Sequence, residues 1–170
     1  IDLSTYASDV DGDALTYSVV TDVTNGTTSL SGSTVTYTPT ANYNGTDSFT
    51  WSVTDGSLSA SGTVDITVTA VNDAPTTDDI ATTINENRTA SRSTGITLQG
   101  SDVEGDDLTY TVVSGPSNGT ASISGSTLTY EANQDYNGTE TITYKANDGS
   151  LDSNTSTITI TITPVNDTPV

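Results

Sequence analysis

The stretch YNGTDSFTWSVTDGSLSASGTVDITVTAVNDAP occupies residues 43–75, and YNGTETITYKANDGSLDSNTSTITITITPVNDTP occupies residues 136–169. Each holds two runs in which apolar residues alternate with Thr, Ser or Asp, joined by the tetrapeptide DGSL. A period of two places every second side chain on one face, the pattern of a half-buried strand. Outward from this stretch, SDVDGDALTY at 8–17 returns as SDVEGDDLTY at 101–110, and YTPTANYNGTDSF at 37–49 returns as YEANQDYNGTETI at 130–142. These pairs and DGSL share an offset of 93 residues, whereas VNDAP at 71–75 and VNDTP at 165–169 are offset by 94. One residue is therefore inserted late in the second copy. Collinear matches at one period mark a tandem duplication. The period is too long for a solenoid turn and suits a small sandwich domain.

The second copy is complete over 74–170, while the first, 1–73, lacks the part that matches 76–93. The chain reads as a segment of a longer array. In the second copy, period-two runs fall at 80–84, 95–99, 108–113, 119–124, 127–131, 139–146 and 155–163. Seven short strands separated by turn residues predict an all-β fold, two tandem Greek-key β-sandwich domains of which the first lacks its N-terminal strand. Leu108, Tyr110 and Val112 share one face of their strand, and Leu15, Tyr17 and Val19 match them in the first copy, as Phe49, Trp51 and Val53 match Ile142, Tyr144 and Ala146. Val64, Ile66 and Val68 match Ile158, Ile160 and Ile162. Burying each such side chain contributes about 1.5–3 kcal/mol, so these triplets are the expected core. Trp51 belongs to it rather than to a ligand platform. Asn-Gly at Asn25, Asn44, Asn118 and Asn137 reads as tight turns with positive φ at both residues. Tyr43 and Tyr136 stand where sandwich domains tie down a corner.

Three basic residues against 22 acidic ones give a net charge of −19. This excludes charge-driven binding to nucleic acid or to an anionic membrane and favours cations. The chain has neither Cys nor His, which removes disulfides and the usual ligands of zinc, copper and haem. It also removes the Ser–His, Cys–His and lysine-based catalytic arrangements, so the chain is not expected to be an enzyme. Oxygen ligands remain, and they suit Ca²⁺. No apolar run is long enough to insert into a bilayer.

The acids are not scattered. Asp9, Asp11 and Asp13 surround Gly12 in one loop, and Asp102, Glu104 and Asp106 surround Gly105 in its copy. Carboxylates packed at this spacing repel one another unless a cation sits among them. An EF-hand is excluded, since Ala14 and Val20 occupy the places of its glycine and glutamate. In a seven-strand Greek key the second-to-third and sixth-to-seventh strand loops lie at the end where the chain enters. Asp102, Glu104 and Asp106, Asp148 of DGSL, and the linker residues Asn72 and Asp73 are thus expected to converge at the junction of the copies. Glu86, past the first strand, is expected at the opposite end with Asn166 and Asp167. Asp9, Asp11, Asp13 and Asp55 form the matching half-site of the first copy.

These motifs, DxDGDxLTY, the 43–75 block and NEN at 85–87, resemble the cadherin-like tandem repeats of very large bacterial surface proteins of the RTX-adhesin type. The resemblance implies a cadherin-like or Ig-like sandwich, Ca²⁺ at module junctions, export to the bacterial cell surface or exterior, and a role in adhesion, biofilm or scaffolding. In the cadherin pattern an early glutamate, a DxD loop, a DxG loop and a DxNDN linker share the ions. Glu86, the two acidic loops, Asp55 and Asp148, and the two VND linkers stand at those places, with Glu104 in place of the central aspartate. The expected function is a calcium-rigidified spacer whose partners are neighbouring repeats. Binding of surface glycans or peptides, and self-association through the strand missing from the first copy, are the alternatives. Seven N-x-S/T matches, among them Asn87, Asn154 and Asn166, read as turn chemistry in a Thr-rich chain.

Overall fold

The computed structural model describes residues 1–86 and 93–166, so Asn87 and the candidate ligand Asp167 lie outside the described residues. The chain divides into two compact units, Ile1–Val71 and Asn72–Val170, which assigns the linker residues Asn72 and Asp73 to the second.

The first unit opens with a 3-10 turn, Leu3–Thr5, followed by β1 (Thr16–Thr21), β2 (Gly26–Ser31), β3 (Thr34–Pro39), β4 (Gly45–Thr54) and β5 (Ser59–Val68). One sheet has the order β1-β4-β5, and β2 pairs with β3. Phe49, Trp51 and Val53 from β4 are buried together with Val35 from β3 and Leu3, and Leu15, Tyr17 and Val19 pack against them. Ile1 and Leu3 pair with the β3 side of the sandwich: the Val35 N–H donates to Ile1 O at 2.9 Å and the Leu3 N–H to Ser33 O at 2.9 Å. In the second unit the Leu98 N–H donates to Ser126 O at 2.8 Å. Leu3 therefore takes the place of Leu98. From Leu3 to Asp9 is six positions and from Leu98 to Asp102 is four, and the 3-10 turn absorbs the two extra residues.

The second unit contains β6 (Thr76–Thr77), β7 (Ile80–Asn85), β8 (Ser93–Thr97), β9 (Gly100–Ser101), β10 (Thr109–Ser114), β11 (Gly119–Ser124), β12 (Thr127–Ala132), β13 (Gly138–Asn147) and β14 (Ser156–Thr163). Its sheets have the orders β10-β13-β14-β7 and β11-β12-β8, with β6 on β9. Ile142, Tyr144, Ile158 and Ile160 are fully buried between them with Leu128 and Tyr130. Each of the seven expected strands is present. The first is preceded by a short partner: β6 runs antiparallel to β9, and the chain then crosses so that β7 lies parallel to β14. Side chains hold the crossing. Tyr144 Oη donates to Asp78 O at 2.6 Å, the Thr157 N–H donates to Asp79 Oδ1 at 2.6 Å, and Asn154 both donates to Thr77 O and accepts from the Thr77 N–H. The second strand, Ser93–Thr97, lies two residues earlier than its pattern suggests, and the Leu98 N–H beyond it bonds Ser126 O, next to the Thr97–Thr127 pair.

The Asn-Gly pairs are not the hairpin turns. Positive φ outside glycine occurs only at Asn42 and Asp135 among the described residues. The β2–β3 and β11–β12 reversals use Gly32 and Gly125, and Asn-Gly instead opens β2, β4, β11 and β13. Gly45 and Gly138 hold φ of 129° and 142° there, with the hydroxyls of Tyr43 and Tyr136 bonded to the carbonyls of Thr46 and Thr139.

Each unit also buries a carboxylate that braces an Asn-Gly segment. Asp47 accepts from the N–H groups of Thr24, Asn25 and Ser48 and from Tyr37 Oη. The Thr24 N–H foremost, with the others, holds its carboxyl below the ordinary 3.8 against the effect of burial. Its counterpart Glu140 accepts from the Ser117 N–H at 2.7 Å and Asn118 Nδ2 at 2.6 Å. Burial works to raise Glu140, and these donors outweigh it, so its carboxyl also lies low. Nearby, burial first and the Glu140 charge second push Tyr130 up to about 12.

Two outcomes follow from this packing. A Cβ on Gly62 would stand 3.0–3.1 Å from the Trp51 indole; overpacking of this kind costs about 1–3 kcal/mol, so Gly62→Ala lowers the urea midpoint of the first unit, read by the emission of its single tryptophan. The two buried carboxylates stabilise the fold fully above their unfolded values of 3.8 and 4.5, and that stability is lost as pH falls through the lower folded values. Acid unfolding followed by Trp51 emission is less steep in Asp47→Asn than in the parent; an unchanged slope contradicts the bracing role.

Candidate metal centre

The acidic loops fold identically in the two units because one carboxylate in each organises the backbone. Asp102 Oδ1 accepts from the N–H groups of Glu104 and Asp106, both at 3.0 Å. Asp9 Oδ1 accepts from those of Asp11 at 2.9 Å and Asp13 at 3.0 Å. The loop closes through a left-handed glycine, Gly105 at φ 81° and Gly12 at φ 83°, a conformation in which a Cβ is strained. The DGSL loops are a second repeated device. Asp148 Oδ1 accepts from the Ser150 and Leu151 N–H groups, both at 2.6 Å, as Asp55 Oδ1 does from Ser57 at 2.6 Å and Leu58 at 2.7 Å.

In the second unit the entering segment is stitched to both loops. Asn72 Nδ2 donates to Asp148 Oδ2 at 2.8 Å, across 76 residues of sequence, and the Asp73 N–H donates to Glu104 Oε2 at 3.2 Å. The Leu151 N–H foremost, then the Asn72 amide and the Ser150 N–H, hold the Asp148 carboxyl below its ordinary value. The Leu58 and Ser57 N–H groups do the same for Asp55. Asp102 differs from the rest. Its Oδ2 is sealed from solvent and has no hydrogen-bond partner among the described residues. A buried carboxylate oxygen without a partner is costly, and a cation is a chemically apt one.

Asn72, Asp73, Asp102, Glu104, Asp106 and Asp148 thus lie at one end of the second unit, linked through Asn72–Asp148, Asp73–Glu104 and the Asp102 loop. Their carboxylates do not form a cage: among the described residues no three acidic side chains stand close enough to hold an ion together. In this arrangement the Asn72 amide occupies Asp148 Oδ2 and the Asp73 N–H occupies Glu104 Oε2. In the first unit Asp9 and Asp55 line one groove, and Asp11 and Asp13 are exposed. Glu86 is buried elsewhere in the second unit, its Oε2 accepting from the Val165 N–H at 3.3 Å and Asn137 Nδ2 at 3.5 Å. Asn166 follows Val165 and is exposed. Sequence reasoning passed over Asp47 and Glu140; the readable signal was an acid two residues before Phe49 and Ile142, on the core-facing side of an otherwise alternating strand.

Residues 72–164, more than half of the chain, match the model of the bacterial cadherin-like domain. The chain belongs to the bacterial cadherin-like domain family. Residues 1–67 match the bacterial Ig domain, so the two copies of this cadherin-like chain sit on either side of a line drawn within one fold. None of the curated proteins matches it. Human protocadherin-24 EC1-2 is similar in fold, with a TM-score of 0.62 at 19% identity over 95% of this chain and 85% of that one. The extracellular cadherin domains 1–5 of protocadherin gamma B2 give a TM-score of 0.61 at 16% identity over 94% of this chain and 35% of that one. An endo-fucoidan hydrolase of glycoside hydrolase family 107 matches at 26% identity with a TM-score of 0.41. The cadherin-like chain covers 92% of itself but spans only 24% of that hydrolase, and the match carries no argument about activity. Bacterial cadherin-like and Ig domains are typically non-enzymatic, extracellular modules. No helix among the described residues is long and apolar enough to cross a membrane.

The loop geometry sets a test of its own. Gly105→Ala forces a left-handed alanine and costs about 1–2 kcal/mol, and Gly12→Ala does the same in the other unit. Each lowers the denaturation midpoint of its own unit; a midpoint unchanged in both variants contradicts the carboxylate-organised loop.

Proposed function

We propose that this chain is a calcium-binding structural repeat, a spacer of a bacterial extracellular adhesin or scaffold, without catalytic function. The observation that carries this reading is Asp102 Oδ2, a buried carboxylate oxygen left without a donor in a loop that brings Glu104 and Asp106 beside it. Asn72, Asp73 and Asp148 supply further oxygens at the same end of the unit. The Asn72 amide, turned about its last bond, presents its oxygen in place of its nitrogen. The donor set is entirely oxygen, in keeping with a Ca²⁺ that takes about 6–8 such ligands. Glu86 and Asn166 are the candidate ligands of a second set, and Asp9, Asp11, Asp13 and Asp55 those of the first unit. An ion that fixes the entering segment Asn72–Asp73 to the loops of its unit removes freedom from the link between successive repeats. That is the property a stiff spacer needs.

Calcium then stabilises by mass action, about 2.7 kcal/mol at a free concentration one hundred times Kd, and each kcal/mol moves the Tm of a domain this size by about 4–8 °C. A thermal melt in millimolar CaCl₂ shows the upward shift, EGTA reverses it, and Asp102→Asn loses most of it. A Tm indifferent to both calcium and chelator rules the reading out.

A further inference from the structure

Four Asn-Gly pairs stand at corresponding places in the two units, at Asn25 and Asn44 in the first and Asn118 and Asn137 in the second. Asparagine is among the thermally labile residues. Ahead of glycine it is most open to attack by its neighbour, because no Cβ shields the glycine nitrogen. That attack needs a side-chain amide free to turn and a glycine N–H that no acceptor holds. The four pairs differ in both respects.

At Asn44 and Asn137 the glycine is engaged. The Asp55 N–H donates to Leu58 O, so these two residues form a hydrogen-bonded pair at the β4–β5 hairpin. Bonded and non-bonded pairs alternate along an antiparallel ladder. The register runs without a shift to Gly45 opposite Val68, which is again a bonded pair. In the β13–β14 ladder Thr157 turns its N–H away, to Asp79, so Thr143–Thr157 is a non-bonded pair and Gly138–Ile162 a bonded one. At Asn118 the side chain is engaged instead, its Nδ2 donating to the buried Glu140 at 2.6 Å.

Asn25 is held on neither count. The Thr40 N–H donates to Asn25 O at 2.9 Å, so the adjoining Gly26–Pro39 pair is non-bonded. The Gly26 N–H therefore points away from β3, on the side of β2 that carries no strand. The Asn25 backbone is fixed, its N–H donating to Asp47 Oδ2 at 2.8 Å and its O accepting from Tyr37 Oη at 3.2 Å. Its side-chain amide has no hydrogen-bond partner among the described residues. Glycine is also obligatory here, since a Cβ on Gly26 would stand 2.4 Å from Thr38 O and 2.7 Å from the Tyr37 ring. The packing around Tyr37 thus imposes the labile pair.

We propose that Asn25 is a site of spontaneous covalent modification, deamidating through a cyclic imide with Gly26, and that the product releases the Asp47 brace. The Gly26 nitrogen bonds to Asn25 Cγ and gives up its proton to solvent, while the side-chain nitrogen takes up a proton and leaves as ammonia. Water then opens the ring at one of its two carbonyls, giving aspartate or isoaspartate. Either product places a carboxylate on the residue whose N–H bonds Asp47 Oδ2, and like charges at such range repel. Isoaspartate also lengthens the main chain by one carbon, which displaces the bonded pair of Asn25 and Thr40. The first unit carries a slow, irreversible loosening that the grip of Glu140 on Asn118 denies to the second.

The full chain is aged in mildly alkaline buffer without denaturant and mapped peptide by peptide by mass spectrometry. Asn25 converts several-fold faster than Asn44, Asn118 and Asn137, with isoaspartate among the products, and in urea the four rates converge. The aged chain unfolds at a lower urea midpoint, read by Trp51 emission. Asn25→Gln keeps an amide but cyclises far more slowly, so its midpoint survives ageing. Fastest native conversion at another Asn-Gly pair, equal rates at all four without denaturant, or an unchanged midpoint in the aged parent overturns the inference. So does an equal loss of midpoint on ageing in Asn25→Gln, which places the damage elsewhere.

Discussion

A chain with 22 acidic residues and 3 basic ones cannot neutralise itself by pairing side chains. Among the described residues a single ion pair, Lys145–Asp152, is present, and it is exposed. The backbone stabilises the carboxylates instead, through its N–H dipoles. Asp9 and Asp102, Asp55 and Asp148, and Asp47 and Glu140 each collect main-chain N–H donors. Charge-assisted bonds of this kind are about twice as strong as neutral ones, and here they shape every loop they touch. The turn that brings Asp106 beside Asp102, and the one that presents Asp148 to Asn72, exist because a carboxylate gathers the amides around it.

This economy sorts the carboxylates by how completely they are satisfied. Asp47 and Glu140 are met by several donors each, and they brace the sandwich. Asp102 is met on one oxygen only. The loops that leave charge unmatched lie where the chain enters the second unit, so the same interaction that stabilises the fold also concentrates negative potential at its end. Structural and ion-attracting roles are thus two degrees of one arrangement.

Much of this was legible in the sequence. The alternation of Ile and Thr through 156–163 fixes strand, face and core at once, because only a two-residue period buries Ile158, Ile160 and Ile162 together. The meeting of Asn72 with Asp148 follows from topology alone. Other features depend on reach, which composition does not encode. The split of the first strand rests on the Tyr144 hydroxyl and the Asn154 amide meeting backbone groups over 60 residues away. Asn-Gly was ambiguous because the pair suits a hairpin turn as well as a strand start, and the close approach of Tyr43 to Gly45 decides for the latter. Whether converging acids make a cage depends on side-chain rotation, which the sequence does not encode, and here Asp148 and Glu104 each bond the entering segment instead.

The presence of Gly62 where the second unit has Ser156 has a consequence for how a tandem protein reaches its native state. Adjacent repeats of like sequence are prone to exchange elements while folding, because each offers the other a nearly correct partner. Were β7 and its lead-in to settle on β5, Thr77 would lose its bonds to Asn154 and Ser156 and meet a bare indole. A buried polar group left unpaired costs about 1–3 kcal/mol, a bias of about fivefold or more toward the correct sheet. Divergence at one small residue acts as an address, directing each strand to its own half of the chain.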